Sequence, residues 1–588
     1  MKDWLPDPAE CYGLDEVELA AFEAKERQHL GLPDERRSQW SECARKGMSV
    51  EERSRTTMLV SGLTIAQDLF VQCALRGLGY NVEALECPDN ESLRYGKEFG
   101  NRAQCNPTYF TVGNLVKNLS HLRDEQGLSA EQIIDRYVFL TAGSCGPCRF
   151  GTYVTEYRKA LRDSGFEGFR VLLFEPSGGL KQATGEQSGL KLNGSFFLAI
   201  FKALLLGDVL NALGYRVRPY ELEQGATDAA IKRCREMICS ALERRRFLAP
   251  TLWKCRRQFQ SIRVDRTRVK PRVGVIGEFW AMTTEGDGNY RLQSFLEAEG
   301  AEVEVQLISA WLLYVIWQGK HDTLARADLR GCDSGRHGLA GVDVRKKLIA
   351  LGLAERAIRV FFKTVARAMG LRDYRLPDME KIAKVSHEFY DVSLRGGEGH
   401  LEVGKLILNV VENKVNMTLS VKPFGCMPSS SVSDGVQYLI TELYPQCIFQ
   451  SIETSGDGAV NAYSRIQMQL FKARQAAEKE VTDALAAYGI AHEQFQSLAA
   501  SRRLSGALHR SPHRAGCTAA DLAQDIGVRR QSFLTRLVSR WSRSEKDTPQ
   551  SDQSIIRIAA RGARAWQEAE QSSRVGLGSP ALVQIETG

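Results

Sequence analysis

At 588 residues the chain is too long for a single hydrophobic core and calls for three to four domains. With 43% hydrophobic and 25% charged residues it has the composition of an ordinary soluble globular protein. The net charge of +7 is unevenly spread: residues 499–588 hold 14 Lys/Arg against 8 Asp/Glu, so the body is nearly neutral and general nucleic-acid binding is excluded outside that tail.

Residues 1–55 are polar and charged, with a helix expected over Glu16–His29, and read as an extension or collar. From Thr56 apolar runs alternate with amphipathic segments. Leu63–Leu78 is expected to be a helix, 81–85 a strand, Thr108–Leu122 a helix, Tyr137–Thr141 a strand, Thr152–Ser164 a helix and Phe169–Phe174 a strand. Gly194–Gln260 reads as helical. A second α/β unit opens with a strand at Arg272–Gly277, followed by a helix over Tyr290–Glu299 and a strand over 301–307. Val344–Met369 is a long helical insertion. Glu402–Asn413 follows as a helix, Thr418–Val421 as a strand, Val436–Leu443 as a helix and Ile448–Ile452 as a strand. Strands alternating with helices imply parallel sheets covered on both faces. The fold class expected is therefore α/β: stacked Rossmann-like parallel-sheet domains with helical insertions and a small, mainly helical C-terminal appendage.

The longest apolar stretches, Phe196–Leu206 and Leu307–Trp317, are too short to span a membrane and suit buried helices. The start of the chain lacks the basic and apolar regions of a secretory signal, so a cytoplasmic protein with no membrane partner is expected.

Fourteen cysteines in a reducing compartment do not make a disulfide framework. Cys73, Cys234, Cys239 and Cys447 sit among helix- or strand-forming residues and read as core. Cys11, Cys43, Cys255, Cys332 and Cys517 lie in polar or charged surroundings with no partner nearby in sequence, and Cys87 is a reserve ligand. Cys105, Cys145, Cys148 and Cys426 stand apart. Cys145-Gly-Pro-Cys148 follows a strand on a Gly-Pro turn, where both thiols can reach one centre as a redox disulfide, half a zinc site or part of an iron–sulfur site. Cys105 and Cys426 each stand just before a helix, whose free N–H groups favour thiolate over thiol. Both halves thus place cysteine on a loop after a strand, at the end of an open sheet where ligands bind. The separations of 40 residues (105 to 145) and 278 residues (148 to 426) are too long for a local zinc ribbon and fit a site assembled from separate domains.

The segments Cys105-Asn-Pro-Thr-Tyr-Phe-Thr-Val-Gly, Gly146-Pro-Cys-Arg-Phe-Gly-Thr-Tyr, Phe169-Arg-Val-Leu-Leu-Phe and Pro423-Phe-Gly-Cys-Met-Pro resemble the 2-hydroxyacyl-CoA dehydratase superfamily. The resemblance is closest to its dehydratase-activase-related and double-cubane-cluster-like iron–sulfur proteins, and it continues through Ile452–Asn461 and Ser464–Leu470. It implies stacked Rossmann-like domains around a buried cluster, with Cys105, Cys148 and Cys426 as core ligands and Cys145 as a fourth. Four thiolates complete one [4Fe-4S] cluster, whereas three leave an iron open for substrate; a larger cluster calls for more well-placed cysteines. The resemblance also implies low-potential electrons from a separate ATP-dependent activase, used for reduction or dehydration of a substrate such as an acyl-CoA thioester, and it is compatible with a dimer. Within that resemblance the chain is similar to the electron-accepting side, not the ATPase: its nearest approach to a phosphate loop, Gly399–Leu406, lacks the Ser/Thr that holds magnesium and falls in a helix. The organisation expected is an extension at 1–55, cluster-binding α/β domains at 56–260 and 268–475, a helical linker at 476–515 and a tail at 516–588.

Other residues carry paired readings. Arg149 donates to a cluster sulfide or thioester oxygen, or forms a structural ion pair. Glu285 and Asp287 face the cleft or a solvated turn, and Glu453 and Asp457 act as acid/base carboxylates or cap a turn between glycines. His387 and His400 flank the glycine-rich loop at 395–399, which either approaches ligand or does not. In the tail, Thr518–Gly527 followed by Gln531–Trp541 has the layout of a helix-turn-helix, with Arg529, Arg530 and Arg536 toward phosphates and a wing strand at Ser554–Ile558. The alternative to an iron–sulfur enzyme component is therefore a cluster-bearing redox sensor that contacts DNA through the tail alone; a zinc-stabilised scaffold is the third reading.

Overall fold

A computed structural model describes residues 16–31, 49–143, 148–174, 189–327, 339, 342–394, 397–501 and 504–530. The chain divides into two compact units, Met1–Arg45 with Val315–Arg356, and Lys46–Tyr314 with Ala357–Gly588. The first contains helix α1 (Glu16–His29), with an i,i+4 Arg27–Glu23 pair at 3.1 Å. Within it Lys320 and Glu355 form an ion pair at 2.6 Å, and the Trp317 and His321 rings stack.

The second unit holds both sheets. Its first half runs β1 (Thr57–Val60), α2 (Ile65–Gly77), β2 (Asn81–Ala84), α3 (Asn90–Phe99), α4 (Asn106–Asp124), α5 (Ala130–Arg136), β3 (Tyr137–Ala142), α6 (Tyr153–Asp163) and β4 (Arg170–Phe174). The helical α7 (Gly194–Val217), α8 (Ala226–Glu243) and α9 (Ala249–Gln260) lead to the second half. That half runs β5 (Arg272–Gly277), α10 (Phe279–Thr283), α11 (Leu292–Ala298), β6 (Glu302–Val305), α12 (Ile308–Ala327, of which Val315 onward belongs to the first unit), α13 (Val344–Met369, of which the part to Arg356 belongs to the first unit), α14 (Met379–Ser386), α15 (Gly399–Val411), β7 (Met417–Pro423), α16 (Met427–Ser431), α17 (Gln437–Leu443), β8 (Phe449–Thr454), α18 (Ala459–Ala487), α19 (His492–Ala499) and α20 (Thr518–Arg530).

The two sheets share one topology. The orders are β2-β1-β3-β4 and β6-β5-β7-β8, and every pairing is parallel, as in β1 to β3 with Thr57 opposite Tyr137 and β5 to β7 with Val273 opposite Met417. Parallel strands need crossovers, and the crossovers cover both faces, so the central strands are apolar along their length. All residues of β5 and β7 are buried. This is the stacked Rossmann-like α/β architecture expected from the alternation of strands and helices. In each sheet the order reverses between its first and third strands, which opens a crevice beyond their carboxyl ends.

Several boundaries move for local reasons. The helix expected from Tyr290 begins at Leu292, because Tyr290 and Arg291 take left-handed backbone (φ 62° and 52°) while the Tyr290 hydroxyl accepts from Ser455 N at 2.8 Å. The apolar stretch at Phe196–Leu206 belongs to a longer helix: Gly194–Tyr220 is apolar enough by composition to cross a membrane, yet 67% of its apolar window is buried within the protein, the mark of a core helix. In the tail, α20 runs unbroken through Gly527, where a turn was expected. A Cβ on Gly527 would sit 2.2 Å from the Tyr488 ring, so this glycine serves close packing inside the helix. Arg529 is held by Asp525 through two 2.9 Å hydrogen bonds. The inner face of α20 joins the α18 core through Ala519, Leu522, Ala523 and Ile526. Arg272, buried at the start of β5, reaches Thr518 (2.8 Å), Asp521 (3.4 Å) and Glu302 (3.5 Å), fastening α20 to the second sheet. The expected helix at Gln531–Trp541, Arg536 and the wing at Ser554–Ile558 lie outside the described residues.

Candidate functional site

Loops from both halves meet where the sheets end. Cys105 is the N-cap residue of α4, with Pro107 in the first turn; Cys426 caps α16, with Pro428 in its first turn. Cys148, on the loop after β3, caps the short 3₁₀ turn Arg149–Thr152. The Cys105 and Cys426 loops touch directly. Asn106 N donates to Phe424 O at 3.0 Å, and a Cβ on Gly425 would lie 3.3 Å from the Cys105 Cα. Gly425 has φ +76°, a conformation that glycine adopts without cost. Asn106 and Phe424, 318 positions apart, are thereby brought into backbone contact.

The loop before Cys105 is pinned from α6 by buried Glu156, which accepts from Asn101 Nδ2 (2.7 Å), Asn101 N (3.1 Å) and Gln104 Nε2 (3.0 Å). Arg149 donates to the Ala103 carbonyl and so ties the Cys148 loop to the Cys105 loop. That position holds backbone, neither a carboxylate nor a free cleft. The Cys105 sulfur lies 3.0 Å from Thr108 Oγ1 and 3.2 Å from the Tyr153 hydroxyl.

Three carboxylates lie near enough for their charge to act on Cys148 and Cys426, and none was singled out from sequence. Glu278 follows the glycine that ends β5 and caps α10 through Ala281 N (2.9 Å). Glu398 and Glu402, at i,i+4, open α15. Burial pushes Glu398 up to about 8, with Glu278 and Glu402 adding to it. Burial likewise pushes Glu402 to about 8; Ser429 and Lys422 pull down and Glu278 pushes up. Glu278 is raised by burial against the pull of the Ala281 and Trp280 amides. Glu402 is 2% exposed; its Oε1 accepts from Ser429 Oγ at 3.0 Å, and its Oε2 has no hydrogen-bond partner among the described residues. Both carboxyls therefore carry a proton near neutral pH.

The thiols feel the same field. Burial raises Cys148 to about 11, and Glu278, Glu398 and Cys105 reinforce it. Cys426 is also raised by burial and by Glu278 and Glu402, with Ser429 opposing. Such thiols keep their protons unless a cation replaces them. Among the described residues no group of three or more His, Cys, Asp or Glu side chains is drawn tightly enough to hold a metal ion as the side chains stand. Cys145 lies outside the described residues.

The glycine-rich loop does come to the site. Gly397, at φ +125°, passes so close to Pro428 that a Cβ there would meet its ring at 2.6 Å, which lays the loop before Glu398 against the first turn of α16. His400 is buried with its ring on Tyr314 (5.2 Å between centroids), and His387 is exposed. The Gly399–Leu406 stretch is helical, as its sequence indicated. Glu285 and Asp287 neither line this site nor stand free: Glu285 accepts from Ile65 N (2.7 Å) and Asp287 from Asn90 N (3.1 Å), so they cap α2 and α3. Asp457 accepts from Ser455 Oγ at 2.7 Å and is exposed on a turn containing left-handed Gly456, whereas Glu453 is exposed within β8. Cys87 packs against Gly286, where a Cβ would meet its sulfur at 2.8 Å. Cys255 and Cys517, placed by sequence in polar surroundings, are fully buried. Cys255 has a partner that sequence did not reveal: the Cys234 thiol, on the neighbouring helix, donates to the Cys255 carbonyl at 3.8 Å, and the Cys239 thiol likewise donates to Leu69 O at 4.0 Å.

The carboxylates had a partial signal in the sequence: Glu278 at a strand end, Glu398 in a loop already marked. Their convergence required the fold. No family model, curated protein or solved structure matches the chain.

Proposed function

We propose that the chain is an iron–sulfur protein like the components of 2-hydroxyacyl-CoA dehydratases, accepting low-potential electrons from an ATP-dependent activase on a separate chain. The observation that carries this reading is that the three loops bearing Cys105, Cys148 and Cys426, drawn from both sheets, are tied to one another, with Cys105 and Cys426 buried and Cys148 half-buried. Donor chemistry supports a cluster: thiols at helix starts, with amide N–H groups close by to offset the charge of thiolates and sulfides. Cys105, Cys148 and Cys426 would hold it, with Cys145 as the fourth thiol. A [4Fe-4S] cluster supplies one-electron transfer at low potential.

The surrounding residues then have defined work. Burial excludes water from Cys105 and Cys426, Tyr153 and Thr108 orient Cys105, and Ser429 bridges the Cys426 loop to Glu402. Glu398 and Glu402 hold protons at carboxyl oxygens that are exchangeable near neutral pH, which suits a reduction or dehydration needing an acid beside the reacting group. An acyl-CoA thioester is the substrate class that this reading favours.

The test is iron and acid-labile sulfide per chain after anaerobic purification, together with the spectrum of the dithionite-reduced protein. About four of each per chain, lost in Cys148→Ala and Cys426→Ala, is expected. Zinc without sulfide, or no metal in the anaerobically purified chain, overturns the reading.

A further inference from the structure

Far along the sequence from those thiols, the helical segment between the two sheets carries a second feature that the cluster reading leaves unused. A cleft of about 220 Å³ opens where α2, α7 and α8 meet the loop into α9. Its floor is apolar, built from alanines and leucines such as Leu78 and Leu248. Its rim holds Lys202 from α7 and Arg245 and Arg246 from the α8–α9 loop, with Ser195 from the first turn of α7. No carboxylate lines it. None of the three cations has an ion-pair or side-chain hydrogen-bond partner among the described residues, and the nearest carboxylate in sequence, Glu243, is engaged by Arg76 at 3.7 Å.

The loop that delivers the arginines is tightly made. Arg246 N donates to Ala241 O (2.8 Å) and Arg245 N to Leu242 O (3.0 Å), the pattern that closes a helix through a left-handed residue. That residue is normally glycine, yet here it is Arg245 at φ 50°. Gly77 makes room for it, since a Cβ there would stand 2.5 Å from Leu242 O and 3.4 Å from the Arg245 Cγ. Cations near a helix C-terminus also offset its dipole, but that does not account for Lys202, which sits within the first half of α7. Three unpaired cations over an apolar floor match an anion with an apolar or planar body.

We infer that this cleft binds a phosphate ester of nucleotide type, its phosphates held by Lys202, Arg245 and Arg246 and its base lying on the apolar floor. The volume accommodates the phosphate end and part of the base, leaving the rest in solvent. The site stands independently of whether a cluster is bound.

The test is titration calorimetry on the full chain with ADP, inorganic pyrophosphate and adenosine as probes. ADP and pyrophosphate are expected to bind, ADP the tighter, with adenosine silent to millimolar concentration. Arg245→Gly keeps the left-handed turn and removes one cation, so a roughly tenfold or greater loss of affinity there reports the charge and not the fold. Lys202→Gln, on a different element, is expected to lose about as much. Lys232→Gln, exposed on α8 outside the cleft, leaves affinity unchanged. No saturable binding of either phosphate probe, or an equal loss in Lys232→Gln from a merely diffuse basic surface, overturns the inference.

Discussion

Replacing Glu402 by glutamine isolates the strongest electrostatic statement in the structure. The side chain is 2% exposed, Ser429 donates to one oxygen at 3.0 Å, and the other oxygen has no partner among the described residues. Burial lifts its pKa from 4.5 to about 8. The folded protein therefore holds this proton at pH values where the unfolded chain has released it. Stability is fully present below about pH 4.5, declines as pH rises, and levels off above about pH 8. At about 1.4 kcal/mol per pKa unit the upper bound of that decline is roughly 4–5 kcal/mol. Glu278 and Glu398 titrate in the same field, so about half of it is a realistic share for Glu402 alone. Glutamine keeps the volume and the Ser429 hydrogen bond but cannot ionise. At pH 5 the amide and the protonated acid place equivalent donors in the same spot, and the two proteins should agree within about 1 kcal/mol. At pH 8.5 the variant should be the more stable by about 2–2.5 kcal/mol. Urea unfolding at several pH values, followed by tryptophan fluorescence, reads this directly, because Trp311 acts on the neighbouring Glu398 and Trp280 lies in the helix that Glu278 caps. Parallel pH profiles for the two proteins, or a variant weaker at pH 8.5, would refute the placement of Glu402 as a buried, proton-holding carboxyl.

Two further perturbations probe how the site and the tail are held. Gly425→Ala puts a Cβ at φ +76° and 3.3 Å from the Cys105 Cα. A loss on the order of 1–3 kcal/mol in urea unfolding is expected, and an unchanged midpoint would contradict the contact between the two cysteine loops. Arg272→Met leaves Glu302 and Asp521 buried without their cation, at a cost of roughly 3–5 kcal/mol. Hydrogen exchange at residues 518–530 should accelerate in that variant; full protection would mean that α20 is held by its apolar face alone.

The strands and helices of both sheets were legible because parallel strands covered on two faces leave continuous apolar runs. The fully buried β5 and β7 stand where those runs are. Where sequence and structure part, a distant partner decided. Gly527 looks like a turn signal in its own neighbourhood, and only the Tyr488 ring across the interface makes it a packing residue. Glu285 and Asp287 look solvated until the amides of Ile65 and Asn90 are brought to them. Cys255 had no partner in its polar stretch, because Cys234 lies on another helix.

The same division holds at the candidate site. The sequence by itself determined the α/β class and the setting of Cys105, Cys148 and Cys426 at element starts, since strand ends, Pro signals and caps are encoded within a few residues. Only the tertiary structure decided that Glu278, Glu398 and Glu402 lie near enough to act on Cys148 and Cys426. Glu278 comes from the end of β5 and the other two from the start of α15, and a carboxyl keeps its proton at neutral pH only when folding has removed water from around it and set other carboxylates beside it.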